Sequence, residues 1–168
     1  TRMARQVLFG LAAAHDAGLI HRDLKHDNIM FCGTRENFIA RVLDFGVVKS
    51  AVADQELSQG PGELTAAGVL VGSPSYMSPE QIRGLTVGPP ADLYALAVVM
   101  YEAITARRLF SVNNYEALLK AGAQRDAPPL TRTGTGEPVP AALNRLIQRA
   151  LAHDPADRYP DARTMLLA

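Results

Sequence analysis

A mainly helical domain carrying one small β-hairpin is the fold class this sequence predicts, and three observations predict it. Apolar residues recur at helical spacing in well-separated stretches, two short apolar runs flank a polar pentapeptide, and 48% apolar content over 168 residues suffices for one good core. The first stretch is Met3, Val7, Leu11 and Ala14, an amphipathic helix that Gly18 can close. His21 to Asn28 is polar and aperiodic, and reads as a loop. Ile29 to Phe31 and Ile39 to Leu43 are the two apolar runs, and Gly33-Thr34-Arg35-Glu36-Asn37 between them makes a hairpin that brings Asn28 and Asp44 to one place from its two ends. Val47 to Gly72 holds Gly60-Pro61-Gly62 and no sustained periodicity, so it reads as a long loop. Leu93, Leu96, Ala97, Met100, Tyr101 and Ile104 then form a broad stripe, and Ala95, Val98 and Val99 make the opposite face apolar too. Such a helix belongs inside the core. After the Pro/Gly/Thr-rich connection from Pro128 to Pro140, helical spacing resumes with Leu143, Leu146, Ile147, Ala150 and Leu151, and Asp154-Pro155 stops it. A last short helix is expected after Pro160, with the proline in its first turn.

Charge and cysteine content exclude several function classes. Lys plus Arg and Asp plus Glu stand at 17 each, so no global field points to nucleic acid or an anionic membrane. The longest apolar run, Ala91 to Thr105, is broken by Asp92 and Glu102 and is too short to cross a bilayer. Cys32 is the single cysteine, which rules out an internal disulfide and suits a reducing cytoplasm; its expected place is a small apolar filler beside the hairpin.

The chemistry-bearing residues cluster in three blocks. They are His21-Arg22-Asp23-Leu24-Lys25-His26-Asp27-Asn28, then Asp44-Phe45-Gly46, then Gly72-Ser73-Pro74-Ser75-Tyr76-Met77-Ser78-Pro79-Glu80. In this order and spacing they resemble the catalytic loop, the metal-binding turn and the activation-segment end of a protein kinase, with Ser-Pro-Glu where Ala-Pro-Glu is usual. The residue types suit phosphoryl transfer, which concentrates negative charge and so requires cations, an aligned hydroxyl and a proton acceptor. The resemblance implies that Asp23 is the acceptor and that Lys25 neutralises the moving phosphoryl group. It implies that Asn28 and Asp44 ligate Mg2+ bound with ATP, and that Met30 forms the floor of the adenine pocket. A hairpin-core role for Met30 is the competing reading. Lys25, together with Ser73 in the peptide-positioning loop, points to the serine/threonine class, whose substrate is a protein Ser or Thr hydroxyl. Leu11 to His15 and the Glu80-Gln81 pair look most like bacterial members.

The same resemblance gives the remaining roles. His21 is structural, packing on Phe45 and held from the buried helix, with Asp92 as the holder. Arg22 marks the class whose phosphorylated activation segment, about residues 44 to 80, binds the catalytic-loop arginine, and Thr65 is the most suitable acceptor. Glu80 and Arg158 resemble a buried ion pair between that segment and the later helices. His15 is expected to be packed or helix-capping, His153 solvated, and His26, standing where proline is common, to alter loop stiffness. The glycine-rich loop, strand lysine and helix glutamate of a kinase N-terminal lobe are not found upstream of His21. The chain is therefore expected to be a C-terminal lobe that begins inside the larger lobe, a fragment inactive alone. Two rivals stand beside this reading. One is a kinase-like binding or scaffold module without transfer activity; the other is a small-molecule phosphotransferase, against which Lys25 and the Ser73 to Glu80 block argue.

Overall fold

Fifteen residues of unbroken helical periodicity open the chain. In the computed structural model, which describes residues 2–34, 36–45, 74–110 and 127–168, they form α1, Arg2–Asp16. The buried face is Ala4, Val7, Leu8, Leu11 and Ala12, while Met3 and Ala14 sit at the margin of the stripe. Gly18 closes the helix in the left-handed region, φ 75°, where only glycine escapes a Cβ penalty. Its N–H donates to the His15 carbonyl (2.9 Å) and Leu19 N–H to the Ala14 carbonyl (2.9 Å), the paired bonds of a Schellman stop.

After a 3₁₀ turn at His26–Asn28 come β1, Ile29–Gly33, and β2, Phe38–Val42, paired antiparallel with Ile29 opposite Val42 and Gly33 opposite Phe38. Gly33 has φ 115°, and a Cβ there would lie 2.3 Å from the Asn37 carbonyl oxygen, so the turn requires glycine. A two-stranded hairpin is marginal alone. Here α1 supports it: Gln6 accepts from the Ala40 N–H and donates to the Phe38 carbonyl (3.3 Å), occupying the free edge of β2 as another strand would. Ile29 and Ala40 turn inward, and Met30, Ile39 and Arg41 turn outward.

A short α2, Pro79–Ile82, precedes the central α3, Pro89–Thr105. The sequence reading missed α2, although Ser78-Pro79-Glu80-Gln81 carries its signal, a capping-box pair with proline at the first turn. In α3 every residue from Ala91 to Met100 is buried, the outcome expected of a helix apolar on both faces. Its C-cap is Ala106 at φ 54°, left-handed without being glycine.

The connection from Ala127 to Pro140 is more ordered than its composition suggests. Arg132 and Pro138 form an isolated bridge, and Leu130 is buried in the core. Next come α4, Ala141–Ala150, a 3₁₀ turn at Pro155–Asp157, and α5, Ala162–Leu167. Asp161 caps α5, its carboxylate accepting from the Thr164 N–H (2.7 Å), so Pro160 lies just outside the first turn and not in it. α1 packs on α5, β2 and α3, and α4 packs on α3 as well. Leu11, Leu93, Leu96 and Ile147, each at most 1% exposed, meet in one cluster. Each such burial is worth about 1.5–3 kcal/mol. No helix among the described residues is long and apolar enough to cross a membrane.

Candidate active site

The loop between α1 and β1 has no regular hydrogen-bond ladder, and its shape comes from one buried carboxylate. Asp92, in the first turn of α3 and 1% exposed, accepts the His21 N–H at Oδ2 and the Arg22 N–H at Oδ1, both at 2.9 Å. Its Oδ2 also meets His15 Nε2 at 2.9 Å, so the packed position expected for His15 is joined to a partner the sequence did not reveal. A carboxylate taken out of water is costly unless such bonds surround it. The holder role expected of Asp92 has its geometry here.

His21 is fully buried, and both ring nitrogens are engaged. Nδ1 accepts from the Asp23 N–H (3.3 Å), which makes Nε2 the donor to the Leu43 carbonyl (2.8 Å). A neutral ring bonded on both sides is a strut, not a base. It packs at 4.9 Å, tilted 49°, on Phe45. Arg22 follows at φ 64°, left-handed for a non-glycine residue, which costs about 1–2 kcal/mol and requires outside restraint. That restraint acts on both of its backbone polar groups. Asp92 takes the N–H, and Gln81 Nε2 donates to the carbonyl at 2.8 Å.

Asp23 and Lys25 then stand side by side, Oδ2 to Nζ 3.3 Å, each side chain 21% exposed. An ammonium beside a carboxylate at the surface offers a cation to an anionic group and an acceptor to a hydroxyl. Asn28 N–H closes on the Lys25 carbonyl (3.1 Å), and Asn28 Nδ2 donates to the Asp23 carbonyl (2.8 Å), which leaves its Oδ1 as a hard acceptor. Leu43 N–H donates to the Asn28 carbonyl (2.9 Å), prolonging the hairpin ladder to the residue before Asp44. Asp44 is exposed and turns at φ 53°. The hairpin thus brings Asn28 and Asp44 to the same end. Among the described residues no three His, Cys, Asp or Glu side chains gather as a metal cluster, so a divalent ion on Asn28 and Asp44 requires phosphate oxygens or water to fill its shell. That is the donor set Mg2+ favours beside a nucleotide. Met30 is 40% exposed on the outward face of β1, which removes the hairpin-core reading.

Glu80 and Arg158 meet in a two-pronged pair, Nη1 to Oε1 2.7 Å and Nη2 to Oε2 2.8 Å, at 4% and 1% exposure. Arg158 also donates through Nε to Ala152 O (2.7 Å), Nη1 to Pro90 O (3.3 Å) and Nη2 to His153 O (3.0 Å), and lies over the Tyr94 ring at 4.9 Å. All five guanidinium donors are used. Thr65, Ser73, Gly46 and most of the 44–80 segment lie outside the described residues.

A third buried carboxylate escaped the sequence reading. Glu102 accepts from the Tyr76 hydroxyl (3.0 Å) and from Arg108 (3.2 Å) at Oε2, and from the Leu109 N–H (3.0 Å) at Oε1; Arg108 also donates to the Tyr76 oxygen. His26 Nε2 stands 3.2 Å from Oε2 and its ring meets Tyr76 edge-on at 5.9 Å, so His26 ties the loop to α3 beyond any effect on stiffness. Burial, and next the Glu102 acceptor beside it, push the Tyr76 phenol up to about 12. His153, expected to be solvated, is partly exposed, and Arg83 Nη2 lies 2.8 Å from its Nε2 in an exposed contact.

Against known proteins, the protein kinase domain family matches residues 1–166. The chain is 41% identical to serine/threonine-protein kinase pkn3 of Myxococcus xanthus over 96% of its length, covering 29% of that protein. It is 44% identical to Pkn1 of the same organism over 92%, covering 21%, and 35% identical to PknL of Mycobacterium tuberculosis over 96%, covering 37%. The chain thus spans less than two-fifths of the length of these relatives. With a match over nearly every residue and the loop geometry above, the chain belongs to the protein kinase family.

Proposed function

We propose that the chain is the C-terminal lobe of a bacterial serine/threonine protein kinase domain, residues 1–168, whose whole protein transfers the γ-phosphate of ATP to Ser or Thr hydroxyls of a protein substrate in the cytoplasm. One observation carries the reading. Asp23, Lys25 and Asn28 converge on a loop whose backbone is bound by Asp92 and braced through His21 against Phe45 and Leu43. In this reading the Asp23 carboxylate receives the hydroxyl proton as that oxygen attacks phosphorus, and the leaving diphosphate oxygen takes the broken P–O bond's electrons. Lys25 balances charge on the group in flight. Asn28 Oδ1 and the Asp44 carboxylate would hold Mg2+, which when bound would neutralise phosphate charge, and Met30 would lie against the adenine.

The kinase names of the relatives and the Lys25 pairing support the serine/threonine class. Arg22 supports activation by phosphorylation at Thr65, because its Nε is buried without a partner among the described residues, where an incoming phosphate would be welcome. Ser73 would steady the Asp23–Lys25 pair. Met30 and Ile39, exposed and apolar on the outward hairpin face, support an N-terminal lobe that covers them, without which the chain alone binds Mg-ATP weakly.

The test is single-turnover phosphate transfer by the protein in which this chain is joined to its N-terminal lobe. Asp23→Asn should slow transfer by about 10²–10⁴-fold at equal folded fraction. Equal rates would remove Asp23 as the base, no transfer by wild type would favour the binding module, and transfer to a small-molecule hydroxyl in preference to protein would favour the other rival.

A further inference from the structure

Arg22, the residue before Asp23, is held at its N–H and its carbonyl by two side chains from separate helices, and only Asp92 was foreseen as one of them. The other is Gln81, the third residue of α2. Its two arms point to different elements. Oε1 accepts from the Ser78 N–H (3.0 Å) and hydroxyl (3.1 Å) at the start of α2, while Nε2 donates to the Arg22 carbonyl (2.8 Å). A capping box at this place takes Glu as readily as Gln, since only the acceptor oxygen is needed. The amide arm is therefore surplus to capping and explained by Arg22.

We propose that Gln81 is a positioning residue for phosphoryl transfer: its carboxamide joins the Ser-Pro-Glu end of the activation segment to the left-handed Arg22 peptide and thereby sets the direction of the Asp23 carboxylate. Three further observations carry it. Arg22 sits at φ 64°, a conformation that relaxes if unrestrained and would rotate the next residue with it. Asp92 fixes the N–H side of Arg22 and leaves the carbonyl side to Gln81. A cavity of about 10 Å³, room for roughly one water, lies between Arg22, Asp23, Met77, Gln81 and Asp92, so the loop has space to shift into when the amide is lost. The link also gives the segment after Gly72 a direct hold on the residue before the base. A change in that segment can then reach Asp23 through one hydrogen bond.

This inference rests on the proposed kinase reading, and the test separates the two. In the protein joined to its N-terminal lobe, Gln81→Glu keeps the capping oxygen and replaces the donor to Arg22 by an acceptor; Gln81→Met removes both arms. Single-turnover transfer, KM for ATP and for peptide, and Tm would be measured for both, beside wild type and Asp23→Asn. The expected result is that Gln81→Glu transfers about 3- to 10-fold more slowly, the scale of one neutral hydrogen bond, with both KM values unchanged and Tm lowered less than in Gln81→Met. Gln81→Met should show the same slowing plus a lower Tm. Full-rate transfer by Gln81→Glu beside a crippled Asp23→Asn would overturn the role of Gln81 alone. Slowing that tracks Tm in both variants would reduce Gln81 to a cap. Equal transfer by wild type and Asp23→Asn would instead overturn the assignment of Asp23 beneath it.

Discussion

Deleting the Arg158 guanidinium should be among the most damaging single changes available in the described structure, and its size can be worked from the contacts. Arg158→Ala leaves the Glu80 carboxylate, 4% exposed, without its two charge-assisted bonds of 2.7 and 2.8 Å. Breaking one half of a buried pair costs about 3–5 kcal/mol. The carbonyls of Ala152, His153 and Pro90 lose a donor as well, and each unmet buried acceptor adds up to about 1–3 kcal/mol where water cannot enter. A loss at or above 4 kcal/mol is expected, against about 0–1 kcal/mol for an exposed pair. Arg158→Lys keeps the charge but has three donors on one nitrogen and cannot span both carboxylate oxygens, so about 2–3 kcal/mol should go. Replacing both partners by apolar residues restores many buried pairs fully. Here it should restore only part, because the Ala152 and His153 carbonyls, outside any helix, remain unmet. The assay is equilibrium urea unfolding followed by far-ultraviolet circular dichroism, at low and high salt. A loss below 1 kcal/mol for Arg158→Ala, or a loss that salt erases, would refute the argument, since screening acts weakly on a pair shielded from solvent.

Two further changes test other parts of the frame. Ala106→Gly should raise stability by about 0.5–1 kcal/mol, because a left-handed alanine costs about 1–2 kcal/mol and the freer unfolded glycine returns only part of that; a lower urea midpoint would show that the Ala106 methyl packs usefully. Tyr76 has its phenol raised from the ordinary 10.0 to about 12, so its neutral form is favoured by folding and its contribution is complete below pH 10 and lost as pH climbs from 10 to 12. Tyr76→Phe should therefore be less stable than wild type at pH 7 and decline less steeply across that alkaline interval, and parallel declines would refute the raised phenol that burial and Glu102 produce.

Where the fold was legible, the signal was local. Gly18 announces a helix stop because a left-handed turn needs it, and the polar pentapeptide after Cys32 announces a reversal. α3 announces its own burial through apolar residues on every face. The candidate site stood out for a different reason: Asp23, Asn28 and Asp44 are single polar loop residues, and only their joint resemblance to a kinase loop distinguished them from turn formers. The same resemblance, and no periodicity, pointed to the Glu80–Arg158 pair across 78 positions. Glu102 was not legible because a charged residue inside an apolar helix looks like an interruption until its partners, His26, Tyr76 and Arg108, are in place. Gln81 was read as one half of a bacterial-looking dipeptide. Its second arm reaches a carbonyl 59 positions away, and a carbonyl leaves no mark in sequence.

These buried polar groups share a physical task. The loop from His21 to Asn28, the stretch after α3 and the stretch after α4 have little regular structure, so their backbone groups cannot satisfy one another as strands or helices do. Asp92 takes two loop N–H groups, Glu102 takes the Leu109 N–H, and Arg158 supplies three carbonyls. Asp92 and Glu102 both project from α3, and Arg158 reaches it through Pro90 and the Tyr94 ring. A hydrophobic helix buried along its length gives these charges a rigid base. Their desolvation, costly for any one of them, is offset because each bonds several groups that would otherwise be unmet. Exchanging such a charge for a well-packed apolar side chain, often neutral elsewhere, should therefore fail at all three positions, since the apolar replacement fills the volume and leaves the loop backbone unbonded.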